Sequence, residues 1–173
     1  RAAAGAAHMN TKFSFAAAVL VAGLAAAGCA SKAEATRPIP AGAATAIFAG
    51  GCFWCVEYDF EKLDGVYEVE SGYTGGHVPN PSYYQVGAGG TGHAEAVRVY
   101  YDPAKLSYAQ LVDYFWRHID PTAKDRQFCD AGSEYRSAIF WQDENQRKTA
   151  EASRDALLQS GRFPAIHTEI APA

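Results

Sequence analysis

The sequence lacks the features that mark several large classes of protein. Its 173 residues include 15 basic and 19 acidic side chains, and no basic patch is interleaved with aromatic residues. Nucleic acid is therefore not an expected partner. Neither an internal repeat nor a low-complexity tract follows residue 44. With 49% hydrophobic and 13% aromatic residues, the chain is predicted to form one globular domain with a substantial core.

The chain also lacks an apolar run of comfortable membrane-spanning length. Residues 13–27 are uncharged and rich in alanine, but they fall short of the roughly 20 residues that a transmembrane helix needs. They follow Met9 and Lys12 and end in small residues, which is the layout of a secretory signal. We interpret residues 1–30 as an export segment, of which residues 1–8 are an upstream extension.

The residues just before Cys29 resemble the cleavage site of bacterial lipoproteins, in which the cysteine is lipidated. Cys29 is therefore a lipidation candidate; the alternative is that it is idle or removed by ordinary signal cleavage. Residues 31–44 are polar, contain proline and are predicted to be a flexible linker before a domain at residues 45–173. These features predict an exported protein, either periplasmic or held at the cell envelope by a lipid anchor alone.

Cysteines are few, and their number is odd once Cys29 is set aside. The others are Cys52, Cys55 and Cys129, and an odd set of thiols in an exported domain does not predict a disulfide scaffold. At least one thiol is expected to have a chemical role. The single C-x-x-C pair has no second pair with which to complete a zinc site, so no metal is predicted.

Two glycines precede Cys52 and set its predicted environment. The apolar run at residues 46–49 is typical of a buried strand. Beyond the cysteine, Val56, Phe60 and Leu63 recur at helical spacing. Cys52 is thus expected at the first helical turn, where unpaired N–H groups and the helix dipole favour a thiolate. We predict that Cys52 is a nucleophile.

The rest of the pattern predicts alternating strands and helices, with polar loops at residues 74–92 and 122–135. The expected elements are strands at 66–73 and 94–101, a helix capped by Ser107 and Gln110, a strand at 137–141, a helix from Asp143 to Gly161 and a strand at 166–170. This order predicts an α+β fold with a ferredoxin-like βαββαβ core. Its helices pack on a mixed or antiparallel sheet, and a further helix and strand follow at the C-terminal end.

Glu95 is the second residue with predicted chemistry. It lies in the strand at residues 94–101, on a face that is otherwise mainly apolar. A carboxyl group on such a face is desolvated, which raises its pKa and keeps it protonated near neutral pH, as a general acid requires. The opposite face is apolar too, so the pattern leaves open that Glu95 instead reaches water at a sheet edge.

Other residues near these two give weaker signals. Phe53 and Trp54 diverge by about 100° at a helix start, so at least one should lie at the surface beside Cys52. Cys55 follows Cys52 by one helical turn and lies on the same face. The polar loops contain side chains that could line one pocket: Tyr83, Tyr84, Asp130 and Tyr135. Taken singly, each is more often structural than catalytic.

Together these segments resemble the peptide methionine sulfoxide reductase A family over about residues 45–173. The matching motifs, in chain order, are GGCFWC at 50–55, SGYTGG at 71–76, NPSY at 80–83, TGHAEAV at 91–97, DAGSEYRS at 130–137 and TEI at 168–170. Several motifs in this order are far more specific than the Cys-Phe-Trp triplet alone. The family usually continues beyond the last motif, so we expect a C-terminally truncated domain.

The resemblance implies a role for each matching residue. Cys52 is expected to attack the sulfur of the S epimer of methionine sulfoxide, free or in peptides, and Glu95 to protonate the sulfoxide oxygen. The supporting roles are those of Tyr83 and Tyr135, which hold that oxygen, Asp130, which helps to order the site, and Phe53 and Trp54, which bind the substrate methyl group.

The resemblance also implies how the enzyme is reset. Attack leaves Cys52 as a sulfenic acid, and a second thiol, either Cys55 or Cys129, then forms a disulfide with it. Thioredoxin or another dithiol would reduce that disulfide. We expect a monomer that acts on oxidised proteins or peptides and binds no cofactor.

The sequence leaves two other functions open. Cys52 and Cys55 could serve a thioredoxin-like thiol-disulfide oxidoreductase, which would act on disulfides without depending on Glu95. A tethered binding lipoprotein would be non-catalytic and would keep its ligand after Cys52→Ser.

Overall fold

A computed structural model of the chain describes residues 38–173. The predicted export segment, Cys29 and the first half of the predicted linker lie outside the described residues, so those interpretations stay predictions. Within the described part of the chain, no helix has both the length and the apolar character that crossing a bilayer requires.

Residues 38–173 form seven strands, four α-helices and one 3-10 turn. The strands are β1 (Ala44–Gly50), β2 (Val66–Thr74), β3 (Ala94–Tyr101), β4 (Arg126–Gln127), β5 (Asp130–Ala131), β6 (Ser137–Trp141) and β7 (Glu169–Pro172). The helices are α1 (Phe53–Phe60), α2 (Tyr83–Gly87), α3 (Tyr108–Arg117) and α4 (Glu144–Gln159), with a 3-10 turn at Ser133–Tyr135.

The main sheet has the strand order β2-β3-β1-β6-β7. Its first four strands pair antiparallel, and β7 adds to the edge parallel to β6. The prediction of a ferredoxin-like core with an added helix and strand is confirmed. Strand β1 lies in the centre of the sheet, so the turn that follows it opens at the middle of one sheet end.

Aromatic packing fixes helices α1 and α3 on the same face of this sheet. The Phe48 ring in β1 is fully buried and stacks on Phe60 of α1 at 5.0 Å and on Phe115 of α3 at 5.1 Å. Because side chains alternate along a strand, Ala46 and Phe48 face the helices while Ile47 packs on the opposite side. The two helices therefore meet directly over β1, and their ends frame the turn at Cys52.

The structure corrects three details of the predicted secondary structure. The polar loop predicted at residues 122–135 contains the short strands β4 and β5 and the 3-10 turn at Ser133–Tyr135. The loop at residues 74–92 contains helix α2, which begins with a capping box formed by Ser82 and Gln85. The last strand begins at Glu169 rather than at residue 166, because the preceding residues bond elsewhere. The His167 N–H donates to the Pro121 carbonyl at 2.7 Å, and the Thr168 hydroxyl bonds that of Ser137 at 2.9 Å.

Candidate active site

Cys52 is the N-cap residue of α1, as the glycine turn predicts. Its carbonyl accepts hydrogen bonds from the N–H groups of Cys55 at 3.0 Å and Val56 at 3.2 Å, so the helix starts directly after it. Gly51 has a φ of +95°, and a Cβ added there would lie 2.7 Å from the Gln127 Cβ. Both the positive φ and the close approach of Gln127 therefore require glycine at position 51. The turn leaves Cys52 only partly buried.

Glu95 lies beside this helix start. Its side chain is only 5% exposed, and its Oε2 accepts a hydrogen bond of 3.1 Å from the N–H of Phe53, the residue after Cys52. Burial raises the pKa of the Glu95 carboxyl, the bond from Phe53 lowers it, and the charges of Glu134 and Asp130 raise it again. The sequence left open whether Glu95 is buried or reaches water at a sheet edge, and in the structure it is buried.

Aromatic rings cover the space next to Glu95. Phe53 is buried, and its ring lies 5.7 Å from that of Tyr73 and 5.8 Å from that of Trp54. Tyr73 is also the direct partner of Glu95 across strands β2 and β3. Trp54 is 67% exposed, so the two adjacent aromatics divide between the interior and the surface as expected.

Tyr135 lies near the same carboxyl group, and Tyr83 lies near Tyr135. Burial raises the pKa of Tyr135, and so do the charges of Glu95, Glu134, Tyr83 and Asp130 around it. Tyr83 begins α2 and is half exposed, while Tyr84 is largely exposed. The structure therefore brings Tyr83 and Tyr135 together with Glu95, although they come from separate loops of the sequence.

A second space opens on the other side of Cys52. It is a cavity of about 70 Å³ whose polar lining consists of Cys52, Cys55, Asp59, His118 and Asp130. Partial burial raises the pKa of the Cys55 thiol, and the neighbouring Cys52 raises it further. The two thiols are thus neighbours. Cys129 is exposed and does not line this cavity, and the thiols in the described chain are unpaired.

The site contains no arrangement that would suit a metal. Among residues 38–173, no group of three or more His, Cys, Asp or Glu side chains is placed to bind one ion. Two larger cavities, of about 270 and 420 Å³, contain no cysteine in their lining. The chemistry of the lining, rather than cavity size, therefore identifies the region around Cys52 as the candidate active site.

Comparison with known proteins shows to which family the chain belongs. The family model described as peptide methionine sulfoxide reductase matches residues 44–173, which is most of the chain. The chain belongs to this family. It is accordingly an oxidoreductase that reduces methionine sulfoxide.

Similar proteins include curated and solved members of the family. The peptide methionine sulfoxide reductase MsrA of Streptococcus uberis is 57% identical over 118 residues, which cover 68% of this chain and 70% of that protein. Among solved structures, methionine sulfoxide reductase A of Corynebacterium diphtheriae is 35% identical, with a TM-score of 0.68 over 77% of this chain and 66% of that one. Reduced Mxr1 of Saccharomyces cerevisiae is 30% identical, with a TM-score of 0.70 over 80% and 81% of the two chains.

In this peptide methionine sulfoxide reductase, the buried side chain of Gln127 packs against the turn that carries Cys52. Gln127 is 1% exposed; its side-chain oxygen accepts from the Asp120 N–H at 2.8 Å, and its nitrogen donates to the Asp120 carbonyl at 2.9 Å. Its Cβ packs under Gly51. Gln127 therefore links the end of α3, the loop that carries Asp130 and the turn that carries Cys52.

Sequence reasoning missed Tyr73 and Gln127. Tyr73 lies in a strand that the alternation predicts correctly, but nothing local reveals that Glu95 is its cross-strand partner. Gln127 lies in a polar loop where a glutamine is ordinarily exposed, and no sequence signal distinguishes it.

Proposed function

We propose that this reductase acts on the S epimer of methionine sulfoxide, with Cys52 as the nucleophile and Glu95 as the general acid. The observation that carries the proposal is the 3.1 Å hydrogen bond between the Phe53 N–H and Glu95 Oε2. It holds a buried carboxyl group one residue from the thiol, so a sulfoxide sulfur approaching Cys52 brings its oxygen towards Glu95.

In the first step, the Cys52 thiolate attacks the sulfoxide sulfur while Glu95 protonates the sulfoxide oxygen. The oxygen is transferred overall to Cys52, which becomes a sulfenic acid, and methionine leaves with its sulfur reduced by two electrons. A carboxyl group with a raised pKa suits this role because it holds its proton to a higher pH than an ordinary glutamate does.

The surrounding residues support binding of the two ends of the substrate. The hydroxyls of Tyr83 and Tyr135 hold the sulfoxide oxygen, and the Phe53 and Trp54 rings hold the methyl group. Asp130 orders the site; its charge acts on both Glu95 and Cys55, which supports a position between the two sides of Cys52.

In the second step, Cys55 attacks the Cys52 sulfenic acid, the two sulfurs form a disulfide, and water leaves. The cavity that the two cysteines share, together with the effect of Cys52 on the pKa of the Cys55 thiol, supports Cys55 as the resolving residue. Cys129 is the alternative, and its exposed position in the turn between β4 and β5 offers no comparable contact.

A thioredoxin-like dithiol protein then reduces the disulfide by thiol-disulfide exchange. Mxr1 of Saccharomyces cerevisiae has also been solved in complex with Trx2, which supports a partner of this kind. Cys55 is an exposed residue, which is compatible with access by such a partner.

The test is turnover of the separated S and R epimers of a methyl sulfoxide peptide with dithiothreitol. We expect methionine from the S epimer alone, and none from Cys52→Ser. Cys129→Ser is the matched control, because it removes an exposed thiol outside the cavity and should still release methionine. Equal use of both epimers would exclude the S specificity, and an active Cys52→Ser variant would exclude the nucleophile.

A further inference from the structure

His118 lies where it can act on Cys55. The Tyr114 hydroxyl of α3 donates to the carbonyl of Asp59 in α1 at 2.9 Å, which fixes how the two helices face each other. His118 follows Tyr114 by one turn at the end of α3, and Cys55 precedes Asp59 by one turn of α1. Both residues therefore lie on the same side of the contact between Tyr114 and Asp59. They meet in the lining of the 70 Å³ cavity.

The orientation of the His118 ring follows from its hydrogen bond. Nδ1 lies 2.8 Å from the Tyr114 carbonyl oxygen, and the ring stacks on Tyr114 with 3.9 Å between centroids. A carbonyl oxygen can only accept, so Nδ1 carries the proton. In the neutral imidazole, Nε2 is then the unprotonated nitrogen and can accept a proton.

Cys55 needs such an acceptor. Only the thiolate attacks a sulfenic acid efficiently, whereas burial and the neighbouring Cys52 raise the pKa of the Cys55 thiol. Two carboxylates, Asp59 and Asp130, line the same cavity, but a carboxylate is a much weaker base than an imidazole. Histidine is the side chain that takes up and returns a proton most readily at neutral pH.

We propose that His118 is the base that removes the proton from Cys55 when Cys55 attacks the Cys52 sulfenic acid. The inference rests on the function proposed above. The Cys52–Cys55 S–S bond forms as the Cys52 S–O bond breaks; the Cys55 sulfur is oxidised and the Cys52 sulfur is reduced. The proton passes from Cys55 to Nε2 of His118 and then to the departing hydroxide, which leaves as water.

The charges around His118 are compatible with this role. It shares the cavity lining with Cys52, Cys55 and Asp59 from the segment of α1 and with Asp130 from β5. On its own helix it contacts Tyr114, and the nearby Arg117 is paired with Asp113 at 2.8 Å. The carboxylates of Asp59 and Asp130 stabilise the imidazolium that forms when the proton arrives.

The experiment separates the two steps in a single turnover with excess enzyme and no reductant. Methionine release reports attack by Cys52, and loss of free thiols, followed by mass spectrometry after acid quenching, reports the disulfide. For His118→Gln we expect unchanged methionine release and disulfide formation slowed roughly 10²-fold at neutral pH, within the range of general base catalysis.

Arg117→Gln is the matched control, because it changes the same helix turn without touching the cavity, and both its rates should equal those of the wild type. For His118→Ala, added imidazole should restore part of the disulfide rate, which a purely structural role would not allow. The pH dependence should differ as well: the His118→Gln rate should rise more steeply towards alkaline pH than the wild-type rate, because the variant depends on Cys55 thiolate formed without a neighbouring base.

His118→Gln with normal methionine release and a wild-type disulfide rate would overturn the role of His118 and leave the proposed function intact. Absence of methionine release from the wild type would instead contradict the proposed function itself. If His118→Gln fails to release methionine, the His118→Ala variant with and without imidazole decides the question by the same criterion.

Discussion

The two sides of Cys52 differ in almost every physical property. On one side a carboxyl group in β3 is shielded from water, and the rings of Phe53 and Tyr73 pack beside it. On the other side Cys55 is exposed and shares a small cavity with Asp59 and His118. The first side holds a single buried acid, whereas the second is open and holds several groups that can exchange protons.

This difference matches the two halves of the proposed reaction. Protonating a sulfoxide oxygen requires an acid that holds its proton more tightly than an ordinary carboxyl group, and burial raises the pKa of Glu95 in that direction. Forming and reducing a disulfide requires a thiol that a protein partner can reach, which burial would prevent. One cysteine can serve both halves because α1 begins where the buried sheet meets the surface.

The largest expected effect comes from the buried side. Glu95→Gln should lower the rate of methionine formation by roughly 10²–10⁴-fold, since an amide cannot donate the required proton. Glu70→Gln is the matched control: it neutralises an exposed glutamate in the neighbouring strand and should retain the wild-type rate. The rates are measured with dithiothreitol as reductant. A thioredoxin-like oxidoreductase would show no such dependence on Glu95.

The next expected effect tests the resolving thiol on the open side of Cys52, separately from the attack by Cys52 on the substrate. Cys55→Ser should release one methionine per chain and continue with dithiothreitol, but it should stall with a dithiol protein as reductant, because no disulfide forms. Cys129→Ser should turn over with both reductants. Product counted per enzyme under each reductant gives the answer, and the opposite pattern would assign resolution to Cys129.

A smaller effect tests what holds the two sides together. Gln127→Ala removes two hydrogen bonds to the Asp120 backbone together with the side chain that fills this buried position, and we expect a loss of about 2–3 kcal/mol in the free energy of unfolding. Gln159→Ala, at an exposed position of α4, should change it by less than about 0.5 kcal/mol. Urea unfolding measures both. Equal stability of the two variants would remove the support role of Gln127.

The smallest effect follows from the raised pKa of Glu95. A group whose pKa is higher in the folded than in the unfolded state contributes stability below the unfolded value and loses it as the pH rises through the folded value. Glu95→Gln stays neutral, so its stability relative to the wild type should rise between about pH 4 and pH 8. Urea unfolding at both values tests this, and a relative stability that falls with pH would contradict the sign.

Local and periodic patterns predicted much of this molecule. Two glycines before Cys52 and apolar spacing after it were enough to place the cysteine at a helix start, whereas strand alternation located the strand of Glu95 but left open which of its faces is buried. The same capping rule that located α3 at Ser107 also applies to Ser82 and Gln85, so α2 was within reach of the sequence.

Contacts between distant segments account for what the sequence did not predict. Tyr73 meets Glu95 only because β2 and β3 pair in one register, and Gln127 is buried only because the loop that carries it folds under Gly51. His118 and Cys55 line one cavity because α1 and α3 pack over the same strand. No pattern within a single segment reveals these juxtapositions.

The central claim is that a proton held by Glu95 is given to the substrate while Cys52 attacks. The most direct measurement is the pH dependence of methionine release in a single turnover, for the wild type and for Glu95→Gln. We predict that the wild-type rate falls as the pH rises through the raised pKa of Glu95, and that the variant is slow and lacks this fall. A variant with the wild-type rate and the same fall would contradict the account.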